Sequence, residues 1–146
     1  MAVVVQGAGP VQAKPPDPRP LDVTTLLDLR FGIVVREGAG DGWISVGPTG
    51  GGPVTGGGLV ALGGDNGPAL FEVVGVPYGV FQISLPNRLL IDRQVTVTEF
   101  TSDPEWSGVL DAEGRATVRV GGRLGVGSQG KVGSPRTLFQ IEVNYQ

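Results

Sequence analysis

A chain of 146 residues with 40% hydrophobic content is long enough for one domain that buries about 70% of its unfolded surface, and too apolar to stay disordered. Its 11 basic and 14 acidic residues leave a formal net charge of −3, which gives no electrostatic reason to expect a nucleic-acid or membrane-surface partner. With no His and no Cys, the chain lacks the commonest general base, the thiol nucleophile, disulfides and the usual zinc ligands.

The 26 glycines and 12 prolines cluster between short runs of Val, Leu, Ile, Phe and Thr, and no stretch keeps apolar residues at i, i+3, i+4 and i+7. That pattern predicts an all-β chain of short strands and tight turns with almost no helix.

The first residues have neither a basic segment nor a continuous apolar run, so they do not read as a signal peptide, and no run approaches the length of a membrane span. Residues 14–20 read Lys-Pro-Pro-Asp-Pro-Arg-Pro, which favours an extended spacer and cannot pair as a central strand. Residues 1–20 are therefore expected to form an arm plus spacer, and residues 21–146 the domain. Within the arm Val3, Val5, Gly7, Gly9, Val11 and Ala13 share one face of an extended chain, with Gln6 and Gln12 on the other.

The body opens with Leu27, Leu29, Phe31, Ile33 and Val35 alternating against Asp28, Arg30, Gly32 and Val34, the pattern of a half-buried strand. Further strands are expected at residues 43–46, 58–62, 69–74, 78–85, 89–91, 94–100, 108–110, 115–120, 123–126 and 138–145. Turn signals separate them, including Asp41-Gly42, the run 63–67, Pro86-Asn87 and the run 111–114, and the glycine block 47–58 reads as a turn-dense connection. About ten short strands at this spacing predict a β-sandwich. In residues 115–120, Ala116, Val118 and Val120 should face inward; in the last strand Phe139, Ile141, Val143 and Tyr145 alternate with Gln140, Glu142, Asn144 and Gln146. A final strand this apolar on one face must lie inside a sheet or meet another chain.

Chemistry-bearing clusters are sparse. Glu72, Glu99, Asp103 and Glu105 are the central acids a glycosidase pair would need, and Glu72 and Glu99 sit where exposed strand residues belong. Residues 125–132 nearly spell a phosphate-binding loop, but Val132 stands where Ser or Thr is required and no helix pattern follows. Asp65-Asn66-Gly67 is explained by a turn rather than a calcium site, and Arg115, Arg119 and Arg123 by solvated strand positions. No enzyme activity, metal or cofactor is expected. Trp43, Tyr78 and Trp106 are the aromatics available to a carbohydrate-binding face.

Residues 29–32, 71–75, 81–86, 95–97, 120–124 and 139–145 together resemble a bacterial secreted Gly-rich β-domain family, a domain of unknown function whose genes commonly lie beside those for fimbrial chaperones and ushers. The ending also resembles that of chaperone–usher pilins, with Tyr145 penultimate and Gly133 fourteenth from the end. The resemblance implies an incomplete immunoglobulin-like sandwich completed by a strand from the next subunit. It implies a donor strand at Val3, Val5, Gly7 and Val11, and an acceptor groove lined by Gly133, Phe139, Ile141, Val143 and Tyr145. It also implies an extracellular homopolymer on the cell surface, with a periplasmic chaperone and an outer-membrane usher as assembly partners. From a different class, a monomeric secreted carbohydrate- or ligand-binding module, or a capsid or spike decoration protein, would use the same sandwich.

Overall fold

A computed structural model describes residues 19–146, which contain thirteen strands and no helix. In chain order they are β1 (Asp22–Leu27), β2 (Leu29–Arg36), β3 (Gly42–Val46), β4 (Val54–Gly57), β5 (Leu59–Gly67), β6 (Ala69–Val74), β7 (Val80–Ser84), β8 (Arg88–Asp92), β9 (Val95–Asp103), β10 (Ser107–Val109), β11 (Arg115–Val126), β12 (Arg136–Thr137) and β13 (Glu142–Tyr145). All pairings are antiparallel. One seven-stranded sheet runs β1-β6-β11-β3-β4, with β9 on the other edge of β11 and β8 beyond it; β10-β7-β13 and β12-β2-β5 form two smaller sheets. The inward residues of all three form one buried cluster, including Phe31, Phe71, Phe81, Val97, Val118, Leu124 and Phe139. The expected all-β sandwich is thus the observed architecture.

The long strand β11 organises the large sheet. Its even-numbered residues from Ala116 to Val126 face the core, and the two segments expected there merge through Gly121 and Gly122. Glycine is required at this join, because a Cβ on Gly121 would strike the Val46 carbonyl oxygen and one on Gly122 would crowd Val97, Leu29 and Phe100.

Several expectations are corrected. The alternation from Leu27 to Val35 is broken twice: the chain leaves one sheet for another at Asp28, leaving Leu27 exposed, and a bulge around Gly32 turns Ile33 out and Val34 in. Gly32 has φ +76°, and a Cβ there would meet the Gly63 carbonyl oxygen. The run 63–67 is not a turn but the end of β5, paired with β2. The glycine block contains β4, which pairs with β3 and places Gly56 against the Trp43 ring, where no side chain fits. Tyr78 lies in a turn at φ 62° rather than in a strand.

The final strand is two short ones. β12 pairs with β2, and after a crossing β13 pairs with β7. Thr137, Phe139 and Ile141 keep facing inward through the crossing, while Leu138 and Gln140 face solvent. Asp28 and Arg136 anchor the first half: the Arg136 Nε and a terminal nitrogen donate to the two Asp28 carboxylate oxygens at 2.6 and 2.8 Å. The hydrogen bond from Arg136, reinforced by its charge and against the cost of burial, holds the Asp28 carboxyl below its ordinary value.

Candidate functional site

A concavity lies where β9 and β7 approach each other from different sheets. β8 pairs with β9 only from Val95 to Thr98, so beyond it Thr101 to Asp103 pair with β11 alone, and Glu99 and Phe100 fall in a slip of that pairing. β10 covers β7 only from Val80 to Gln82. Between these two partly unpaired edges is a cavity of about 560 Å³, lined among others by Ile83, Leu85, Asn87, Phe100, Thr101 and Trp106.

The local sequence explains its floor. At Glu99 and Phe100 the pairing with β11 slips, with Glu99 at φ 52°, and the slip turns Phe100 and Ser102 inward after Val95 and Val97. Gly122 opposite leaves room for the Phe100 ring. That ring lies 5.0 Å from the Phe139 ring, which meets Phe71 edge-on at 5.5 Å. The mouth therefore opens onto the aromatic core itself, with only Phe100 between cavity and Phe139.

At the rim Trp106 is 78% exposed with φ 65°, a conformation rare for a bulky residue. Its backbone is fixed because its carbonyl accepts a hydrogen bond from the Ile83 amide at 2.7 Å. Ser102 donates to the Pro104 carbonyl at 2.8 Å, tying down the loop that follows β9. Asp103 and Glu105 are exposed here and form no ion pair among the described residues.

The residues expected to line a groove are distributed differently. Phe139 and Ile141 are each 8% exposed and belong to the core, and none of the five lines the cavity, Phe139 only packing behind Phe100. Val143 packs partly against the core. Tyr145 accepts a hydrogen bond from the Val76 amide at 2.9 Å and donates to the Arg19 carbonyl at 3.2 Å, tying the last strand to the root of the arm. The Gly133 carbonyl accepts from the Val34 amide at 2.7 Å. Val3, Val5, Gly7 and Val11 lie outside the described residues. Trp106 was named only as an aromatic open to a carbohydrate face; Ile83, Leu85 and Phe100 showed only the apolar alternation of two strands whose juxtaposition is tertiary.

Other candidate chemistry is absorbed by structure. The loop after β11 turns its amides to its own neighbours: Gly127 donates to the Gln94 carbonyl at 2.7 Å and Ser128 to an Asp41 carboxylate oxygen at 3.1 Å. Arg36 binds the carbonyls of Gly40, Gly127 and Gly130 at 2.7, 2.9 and 3.0 Å, which closes that loop. Glu72 pairs with Arg115 at 3.4 Å and Glu99 with Arg123 at 3.5 Å. The Arg123 guanidinium also covers Trp43 at 3.8 Å from the ring centroid, so that face of the ring is occupied. Among the described residues no group of three or more acids could hold a metal, and no helix is long and apolar enough to cross a membrane.

The fold and mouth define a β-sandwich with an open lateral edge. The chain matches the family described as a domain of unknown function (DUF4402) over residues 21–145, and it belongs to that family. No curated protein and no solved structure matches it.

Proposed function

We propose that this chain is a pilin-like structural subunit of an extracellular bacterial filament, joined head to tail by a strand that each copy gives to the next. The observation that carries the reading is the half-paired edge of β9 above a mouth floored by Phe100, whose ring packs on core Phe139. An unpaired edge beside exposed apolar surface invites uncontrolled pairing unless something covers it. A strand supplied by a neighbour covers both backbone and side chains, and a heterologous contact of that kind propagates as an open filament. A periplasmic chaperone would guard the same edge before assembly and an outer-membrane usher would order the exchange, in keeping with the likeness of the C-terminal segment to pilins.

Size-exclusion chromatography and negative-stain microscopy of the full chain test this: filaments support it, and a monomer at all concentrations refutes it. A second reading, a monomeric carbohydrate-binding module, draws on the exposure of Trp106 at the cavity rim. A purified monomer that binds glycans, with binding lost on Trp106→Ala, would favour it.

A further inference from the structure

We infer that the mouth between β7 and β9 is the acceptor, and that its occupant is the segment within residues 2–13 of a second copy, laid along Glu99 to Asp103 in line with β8. This rests on the filament reading and adds the site, the segment and the direction of exchange.

The edge asks for a strand. The five residues from Glu99 to Asp103 present about 16 Å of backbone with no partner on the β8 side, Thr101 to Asp103 being paired with β11 and Glu99 and Phe100 lying in the slip of that pairing. Their inward side chains, Phe100 and Ser102, leave the space beside Ile83 and Leu85 open. A strand added there would turn alternate side chains into that space. The segment has one face of Val3, Val5, Gly7 and Val11, small and branched groups suited to a narrow mouth, and Val4, Gln6 and Ala8 on the other. Charge agrees as well. Residues 1–13 carry no charged side chain and Lys14 follows, while Asp103 and Glu105 stand at the rim without a cationic partner among the described residues.

The occupant comes from another copy because of where the arm is rooted. Arg19 is held by Tyr145, and β1 is the outer strand at one end of the β1-β6-β11 row, whereas β9 lies on the far side of β11. Three strand spacings, about 14 Å, separate β1 from β9 across the sheet. Residues 14–20 contain four prolines and no glycine, so a chain leaving at the β1 edge is poorly suited to double back over its own sandwich. Filling the mouth of the next copy needs no reversal.

The chain has no cysteine, which makes disulfide trapping clean. Thr101 is exposed on β9, so Thr101→Cys should fold. It is combined in turn with Val4→Cys, Gln6→Cys and Ala8→Cys in the full chain, because side chains directly opposite in a paired strand lie within disulfide reach. The expected result under mild oxidation is a ladder of covalent multimers on non-reducing gels for at least one pair, absent for every single-cysteine variant. A monomer carrying an internal disulfide would overturn exchange between copies. Filaments that form normally while none of the three pairs cross-links would overturn this site and leave the filament reading standing; Gln6→Cys with Asn144→Cys, on the free edge of β13, then tests the other groove. A chain that stays monomeric with no cross-link overturns both.

Discussion

The rings of Phe100 and Phe139 sit 5.0 Å apart at an interplanar angle of 52°, joining a residue on the half-paired stretch of β9 to one in the crossing between β12 and β13. Phe139 is core, yet its ring packs directly on Phe100, which lines the cavity between β7 and β9. Stability and edge exposure are therefore coupled through this contact.

A double-mutant cycle measures that coupling. Phe139→Ala should cost about 3–5 kcal/mol, as for other buried phenylalanines. The Phe100–Phe139 interaction term should be about 0.5–1.5 kcal/mol by urea unfolding. Gln140→Glu, on the solvent face next door, should stay within about 0.5 kcal/mol of the parent. A loss at Gln140 comparable with that at Phe139 would reverse the facing assigned to this segment.

The glycines of β11 should respond unequally to one added methyl group. Gly121→Ala drives a Cβ into the Val46 carbonyl oxygen, backbone that cannot yield without breaking the β11–β3 pairing, and should cost about 1–3 kcal/mol. Gly125→Ala meets only the Thr96 carbonyl oxygen at an ordinary 3.7 Å, and should be neutral or stabilising by up to about 1 kcal/mol through the unfolded chain. Equal thermal shifts for the two would contradict the close approach at Gly121.

Acid sensitivity should trace partly to Asp28. Its carboxyl is held below the ordinary value in the folded state, chiefly by the hydrogen bond from Arg136, so the unfolded chain takes up a proton first as pH falls. The stabilisation is present in full above the unfolded value near 4 and is lost as pH drops through the lower folded value. Asp28→Asn should therefore lower the melting temperature at pH 7 and flatten its decline between pH 4 and pH 2. A variant whose decline parallels the parent would mean that other carboxyls carry the acid response.

Trp106 can report directly on the mouth. Trp43→Phe leaves Trp106 as the only indole, and its exposure predicts red-shifted emission with strong acrylamide quenching. On adding a peptide of residues 2–13 to a body lacking them, emission should shift to the blue and the melting temperature should rise with occupancy. Val5→Asp in the peptide should abolish both effects, since a carboxylate would enter an apolar space. Stabilisation without any change at Trp106 would place the peptide elsewhere.

The inward facing of Ala116, Val118 and Val120 and of Phe139 and Ile141 was legible in the sequence because a strand repeats every two residues, a purely local property, whereas Tyr145, on the same alternation, stays 40% exposed. The same rule failed around Gly32 and at the switch of sheet after Leu27, and it could not anticipate the slip at Glu99, because bulges and sheet changes depend on the partner strand. Likewise the glycine block concealed β4: Gly56 packs against a Trp43 ring thirteen positions earlier, a contact that no local composition encodes.

From its residues alone the chain determined an all-β body, its turns at Pro86-Asn87 and at residues 111–114, and the apolar face of its last segment, all set by backbone preference and side-chain period. Tertiary structure decided the rest. It split that last segment between β2 and β7, filled the phosphate-loop-like turn with Asp41 and Gln94, and brought residues 82–87 against 100–106 to make the mouth. These outcomes depend on which strand ends run out of partners, and pairing between distant strands is settled only when the whole sandwich closes.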